Sequence, residues 1–524
     1  MRTPDDGLRR TTLDAEQAGL CGMSIAVTAR EHPERLAIAS RHGDRSYDFL
    51  NRRVNALVRA LRARGVGTGD GVALLCGNRA EFAVAAFAAL RAGWRLTPIH
   101  TELRSAELRY IIDDCEARAL IADGRFAEAA AEAVRCVPRA SIRLGVGDPI
   151  HGFEPWDDVL AAEREDDIDD PVLGSQMPYT SGTTGQPKGV HRAPEAAIHQ
   201  PGLVEFIRSL EHRPGVDLHL CTGPLYHTAP FVFSLSMPLN LGCSIVLMDQ
   251  WDAARALTLI DAYRITHTHM VPVMFRRLLE LPEDERAGRR VSSLRVVLHG
   301  SAPCPVDVKQ RMIDWFGPVL YEYYAATEGW GCGIDSASWL EHPGSVGHPE
   351  AGHVEIRDFE GKVLPAGREG VIYLRTPPGA DFRYFRDDAK TRATHSGGFF
   401  TLGDIGYLDA DGWLHVRDRS ADVINAGGVN VYPAEVDAVL VAHEAVADAA
   451  TVGVHDDETG EAVVAVVELA EGWLESARLE SDLVGFCRRQ LATYKCPRSV
   501  VFAQGLPRMQ NGKIYRRLVR DLYR

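Results

Sequence analysis

The sequence predicts an α/β protein of more than one domain, and three observations carry that expectation. Its 524 residues are too many for one hydrophobic core, so two or three domains are expected. Segments with helical periodicity alternate with short apolar runs, the mark of a largely parallel sheet covered by helices on both faces. The residues beyond 418 carry a βαβ pattern of their own.

In chain order, Ser46 caps a helix whose apolar positions Phe49, Leu50, Val54, Leu57, Val58 and Leu61 recur at helical spacing, and Gly65-Val66-Gly67 ends it. Gly71–Leu75 reads as a short buried strand, 79–92 as a helix and 95–99 as the next strand. The acidic stretch 163–170 reads as a solvated loop. Two more buried strands are expected at 244–248 and Val296–His299. The second runs into Gly300-Ser301-Ala302-Pro303, small residues at a strand's carboxyl end, where open α/β sheets bind ligands. Asp409-Ala410-Asp411-Gly412 is a hairpin signal before a strand at 413–416. Asp418-Arg419-Ser420 then breaks the strand pattern and sets the expected boundary between domains 1–418 and 419–524.

Composition excludes several classes of function. A formal charge of -14 argues against a nucleic-acid partner, because phosphate contacts need a basic face. The most apolar stretch, 82–90, ends at Arg91, well short of the ~20 residues that cross a bilayer, so no transmembrane segment is expected. Residues 1–20 carry acidic side chains and no apolar run, unlike a secretory signal. The ten cysteines, spread from Cys21 to Cys496, contain no C-x-x-C pair and so suggest neither a zinc site nor a disulfide framework. A cytoplasmic protein is expected. Of 58 basic residues only six are lysine, at 188, 309, 362, 390, 495 and 513, and both Lys188 and Lys513 sit in glycine-containing motifs.

The stretch Tyr179-Thr180-Ser181-Gly182-Thr183-Thr184-Gly185-Gln186-Pro187-Lys188-Gly189-Val190 places four Ser/Thr hydroxyls, three glycines and a lysine in twelve residues. A loop that wraps a polyphosphate needs close-approaching backbone N–H groups, hydroxyl donors and a cation, and all are present. A plain surface turn is the alternative. A P-loop fails on spacing, since Gly189 follows Lys188 where Ser or Thr must hold magnesium. In Gly223-Pro224-Leu225-Tyr226-His227-Thr228-Ala229-Pro230, His227 precedes an apolar run and can gate a pocket or serve structurally. In Tyr321-Glu322-Tyr323-Tyr324-Ala325-Ala326-Thr327-Glu328-Gly329, aromatics offer a stacking face for a purine, and Thr327 and Glu328 can address a phosphate and its magnesium. An aromatic strand with a solvated glutamate is the alternative reading. Asp404, just after a glycine turn, can accept both hydroxyls of a ribose. Lys513 lies on a glycine turn able to swing into a neighbouring cleft, or is a solubilising charge.

Together YTSGTTGQPKGV, PLYHTAP, EYYAATEG, TLGDIGYLDADGWLHVRDR and PRMQNGKIYRR resemble the ordered motifs of the adenylate-forming superfamily, acyl-CoA synthetases in particular. The resemblance covers nearly the whole chain. It implies a large N-terminal domain of layered sheets and helices with a small mobile α+β C-terminal domain. It also implies a two-step reaction in which a carboxylic acid and Mg-ATP give acyl-adenylate and pyrophosphate, and a thiol then displaces AMP. Thr180, Ser181, Gly182, Thr183, Thr184, Gly185 and Lys188 would hold the β- and γ-phosphates. Tyr324 would stack on adenine beside Gly300, Ser301 and Ala302. Thr327 would touch the α-phosphate, Glu328 would hold Mg²⁺, and Asp404 with Arg419 would grip the ribose. Lys513 would carry the first step, and the Gly427-Gly428 strand would line the pantetheine tunnel in the second.

Two residues depart from the family pattern: Ala325 where glycine is usual, and Ala421 where the hinge commonly has Asp or Lys. The run 231–237 has no acidic residue to meet a substrate ammonium, so an apolar acid, as in fatty acid metabolism, is expected. No carrier domain follows in the sequence, which makes free coenzyme A the expected acceptor and loading of a carrier protein the runner-up. Tyr226, His227, Phe231, Ala325 and Trp330 are the candidate pocket residues, and a homodimer is left open.

Overall fold

Two largely parallel sheets carry the first two thirds of the chain in the computed structural model, which describes residues 15–180, 187–194, 201–301, 304, 306–358, 360–419, 424–431, 433–507 and 516–523. One sheet is parallel throughout, in the order Glu154–Pro155, Ile142–Val146, Ala117–Asp123, Gly71–Leu75, Arg95–Pro98, Ser175–Gln176. Its central strands are buried on both faces and read as continuous apolar runs, as parallel strands do. The other sheet runs Gly329–Asp335, Leu320–Ala326, Val296–His299, His267–Met270, Leu218–Cys221, Ser244–Leu247, Leu36–Ala39, Arg45–Ser46, and is antiparallel only at its two edge pairs.

One apolar cluster joins side chains of both sheets to the helices Tyr47–Ala63 and Ala80–Ala92. The helix Ala80–Ala92 is apolar almost all round, the composition of a helix enclosed on every side. Gly93 ends it in the left-handed conformation with its N–H on the Ala89 carbonyl. Ser46 caps Tyr47–Ala63 as expected, its Oγ accepting the Phe49 N–H at 3.2 Å. The strands expected at 95–99 and 244–248 form as Arg95–Pro98 and Ser244–Leu247.

A third sheet, antiparallel, joins His395–Ser396, Phe399–Phe400, Gly370–Arg375, Asp404–Leu408, Leu414–Arg419 and Val354–Arg357. The hairpin signal at 409–412 is realised between Asp404–Leu408 and Leu414–Arg419. The expected break at Asp418 and Arg419 is not: both residues stay in the ladder, opposite Ile405 and Asp404, because paired backbone groups hold charged residues in a strand.

The C-terminal region from 424 onward folds on a sheet of its own, ordered Val429–Val431, Ile424–Ala426, Gly460–Leu469, Val446–Asp456, with Ser499–Ala503 parallel to Gly460–Leu469. The helix Ala477–Gln490 makes that parallel crossover, so one βαβ unit sits beside the antiparallel hairpin of Val446–Asp456 and Gly460–Leu469. A separate apolar core supports it. The region meets the body through the short turn Thr493–Lys495, where Ala492 is fully buried in a cluster belonging to the first parallel sheet.

Candidate functional site

Four parallel strands of the eight-stranded sheet end at one place. Gly223 follows Leu218–Cys221, Val271 follows His267–Met270, Ser301 follows Val296–His299, and Thr327 and Glu328 follow Leu320–Ala326, and all five line a cavity of about 1210 Å³. That is the carboxyl edge, where this class of sheet presents its ligand crevice. Thr180, Lys188, His227, Tyr324, Asp404, Gly427 and Gly428 line the same cavity. Ser181, Gly182, Thr183, Thr184, Gly185, Ala302, Ala421 and Lys513 lie outside the described residues, and Arg419 is described by its backbone only, as the cross-strand partner of Asp404.

Thr180 and Lys188 are register partners in an antiparallel pair, so the two ends of the glycine-rich motif lie side by side. The Lys188 ammonium pairs with Asp387 at 3.0 Å, and that aspartate is held below the usual carboxylate range by the Lys390 backbone N–H and by Lys188. Tyr324 donates to Asp404 at 2.7 Å, tying the aromatic strand to the third sheet. Gly300 packs against the neighbouring Tyr323, where a Cβ would lie 2.7 Å from the ring. Ser301 sits at φ 67°, a left-handed backbone for a residue with a side chain, of the kind that collects at functional sites.

Thr327 and Glu328 occupy the turn of a hairpin, and Arg192 donates to both their carbonyls. Tyr384 donates to one oxygen of the buried Glu328 carboxylate at 2.9 Å. The other oxygen is unconstrained by that bond, and a single carboxylate beside substrate phosphates is the environment magnesium takes. Among the described residues no group of three His, Cys, Asp or Glu side chains forms a protein-only metal cage. Glu328 therefore fits a metal shared with a polyphosphate. The hydroxyls of Thr228 and Thr327 lie 3.3 Å apart, linking the PLYHTAP turn to the same place. Buried Asn78 fixes that turn, donating to the Gly223 and Met248 carbonyls at 2.9 Å each and accepting the Leu225 N–H.

His227 is packed among His100 and Tyr226, and burial pushes its imidazole down to about 4, leaving it neutral near pH 7. Beyond it the chain opens into the wider-wound turn Val232–Ser236, whose Val232, Phe233 and Ser236 face the cavity. Phe233, Tyr323 and Trp330 form an aromatic cluster against which the Ala325 methyl packs, so the departure from glycine at 325 bounds this end of the cavity. The Tyr323 hydroxyl lies 2.9 Å from His269 Nε2 and 3.3 Å from Ser301 Oγ.

The opposite wall belongs to the C-terminal region. Gly427 and Gly428 have φ of 65° and 85°, a turn that side-chain-bearing residues resist, and a Cβ on Gly428 would stand 3.7 Å from Val271 of the body. Arg192, Tyr384, Asp387, His100 and His269 were not legible as site residues. Their partners come from remote segments, and only the position of Arg192 just after the glycine loop was a usable signal.

Known proteins resolve what this arrangement is. The chain belongs to the AMP-binding enzyme family, which matches residues 25–380, and the AMP-binding enzyme C-terminal domain matches residues 435–513. It is an adenylate-forming enzyme of the CoA-ligase type. It is 31% identical over 507 residues to the fatty acid–acyl-carrier-protein ligase ScoC of Streptomyces coeruleorubidus, covering 94% of this chain and 95% of that protein. It is 33% identical over 510 residues to a feruloyl-CoA synthase of Amycolatopsis sp, covering 94% and 96%. Among solved structures, a double mutant of o-succinylbenzoate CoA synthetase from Bacillus subtilis, bound with its product analogue OSB-NCoA, superposes with a TM-score of 0.81 at 27% identity over 95% of this chain and 98% of that one. The same synthetase in complex with the acyl-adenylate intermediate OSB-AMP gives 0.65 over the same shares at 27% identity. Among the described residues no helix is long and apolar enough to cross a membrane.

Proposed function

We propose that this chain is an ATP-dependent acid–thiol ligase, built from a body of residues 1–418 and a mobile C-terminal domain of residues 419–524, that turns an apolar carboxylic acid into its CoA thioester. In the first step a carboxylate oxygen attacks the α-phosphorus of ATP, the bond from that phosphorus to the bridging oxygen breaks, and pyrophosphate leaves. In the second, the thiol sulfur attacks the acyl carbon and gives up its proton to solvent as the carbon–oxygen bond to AMP breaks. The observation that carries this reading is the convergence of Lys188, Thr327, Glu328 and the Tyr324–Asp404 pair on one cavity whose far wall is the Gly427-Gly428 backbone.

In this reading the loop from Thr180 to Lys188 holds the β- and γ-phosphates, Tyr324 stacks on adenine beside Gly300 and Ser301, and Asp404 with Arg419 holds the ribose. Arg192 fixes the Thr327 and Glu328 backbone, so the threonine meets the α-phosphate without reorganising. Magnesium, when bound at Glu328, would neutralise phosphate charge. Lys513 supplies a cation where negative charge builds as pyrophosphate departs. Neutral His227 lets the acid approach without forming an ion pair with it. Val232, Phe233, Ala325 and Trp330 give the acyl end an apolar lining.

The better superposition on the complex with the CoA-containing product analogue than on the acyl-adenylate complex supports an arrangement suited to the thiol step. The relation to ScoC favours a second acceptor, a carrier protein bearing the same thiol arm. One experiment tests both. Acids are screened for exchange of labelled pyrophosphate into ATP, and AMP release is then measured with coenzyme A or with a holo carrier protein. Acid-dependent exchange followed by CoA-dependent AMP release is expected, and release of ADP and orthophosphate overturns the reading.

A further inference from the structure

The C-terminal region meets the body through a buried charge cluster. Lys495 Nζ lies 2.7 Å from Glu435 of its own region and 2.9 Å from Glu107, in the helix Ser105–Asp114 of the body. The side chains of Lys495, Glu107 and Glu435 are 3%, 11% and 10% exposed. Burial opposes the lysine's charge, but the two carboxylates more than offset it and its pKa is raised. By contrast Arg277–Glu458, which also joins the two regions, is 44% and 63% exposed, where an ion pair contributes little.

We propose that Lys495 and Glu107 are positioning residues that set the docked register of the C-terminal region, holding Gly427-Gly428 against Val271 for the thiol-dependent step. The inference rests on the ligase reading for its kinetics but not for its geometry. A buried ion pair adds little net stability, yet it tolerates few arrangements, because a shift of register strands a charge away from water. Undocking separates Glu107 from the cluster and leaves Lys495 with Glu435 as a balanced pair, so the released state is also self-consistent. Next to the cluster, Tyr494 stacks on His100 at 4.6 Å, and Ala492 is buried in the body's core. The charge pair thus fixes a turn that brings Tyr494 to the cavity wall, while Gly428, on the same sheet-bearing region, faces Val271.

Glu107 can be changed without disturbing its own helix. Its Oε2 accepts the N–H of the N-cap residue Arg104 at 3.0 Å, a role that a glutamine carbonyl also fills. Glu107→Gln should leave acid-dependent pyrophosphate exchange and its KM values within about twofold, and slow thiol-dependent AMP release about tenfold. Hydrogen exchange of the unliganded chain should quicken at least about threefold in 424–431 and 491–496 for Glu107→Gln, with Gly71–Leu75 unchanged. Exchange and AMP release falling together, neither changing, or unaltered hydrogen exchange in those two segments overturns the proposal. If the wild-type chain exchanges no pyrophosphate with any acid, the ligase reading fails, and hydrogen exchange alone decides whether the pair holds the dock.

Discussion

The two walls of the cavity are built on different principles. The body's wall consists of side chains standing at strand ends and tied to one another: Arg192 to the Thr327 and Glu328 carbonyls, Tyr384 to Glu328, Tyr324 to Asp404. The C-terminal wall centres on backbone, two glycines with positive φ flanked by Asn425 and Val429, with Tyr494 of the turn Thr493–Lys495 beside them. Interlocked polar groups suit charge that develops at a fixed point, because they need no rearrangement at the moment of reaction. A backbone wall suits a partner that must arrive and leave.

The largest expected break in this contrast is Lys513→Ala. Adenylate formation should fall about 10²- to 10³-fold while thioester formation from supplied acyl-adenylate persists, and equal loss of both half-reactions would refute the assignment. Next comes Gly428→Val, which puts a branched side chain 3.7 Å from Val271 at a left-handed φ. Thiol-dependent AMP release should slow about 10- to 100-fold, well beyond any change in pyrophosphate exchange, as single-turnover rates will reveal. Tyr384→Phe acts on the other wall. Losing one hydrogen bond to Glu328 should lower kcat/KM for adenylation about three- to tenfold and spare the thiol step.

The smallest effect on turnover concerns pH. Burial pushes His269 down to about 4, so between about 6.5 and 4 the unfolded chain binds a proton that the folded chain does not. Stability due to neutral His269 is present above the unfolded pKa and is lost as pH falls through that window, at up to about 1.4 kcal/mol per pH unit. Urea unfolding at about pH 7 and about pH 5 should show His269→Gln with the shallower dependence; an unchanged slope would assign the acid sensitivity elsewhere.

Much of the fold was legible because local chemistry decides it. Ser46 caps the helix it precedes, and the uninterrupted apolar runs at Gly71–Leu75 and Val296–His299 have no stable place but a parallel sheet interior. The strand boundary at Asp418 was misread because pairing with Asp404–Leu408 outweighs the intrinsic reluctance of charged residues to extend a strand. The residues that touch the cavity were legible where motif and strand end coincide, as at Thr327 and Glu328. The residues that hold them were not. Arg192 reaches a carbonyl 136 positions along the chain, and Glu107 meets a lysine 388 positions away. No pattern within a short window encodes such a pair, since only the topology of the sheets brings the segments together.

The turn that seats Ala492 in the body has a kinetic meaning as well. A mixed anhydride left in an open cleft meets water, so its lifetime depends on how long the second lobe stays seated. A thiol that prefers the seated state favours seating, and by reciprocity the seated state binds that thiol more tightly. In the proposed reaction, hydrolytic leakage of the intermediate and affinity for its acceptor should therefore change together, leakage falling as the acceptor binds more tightly.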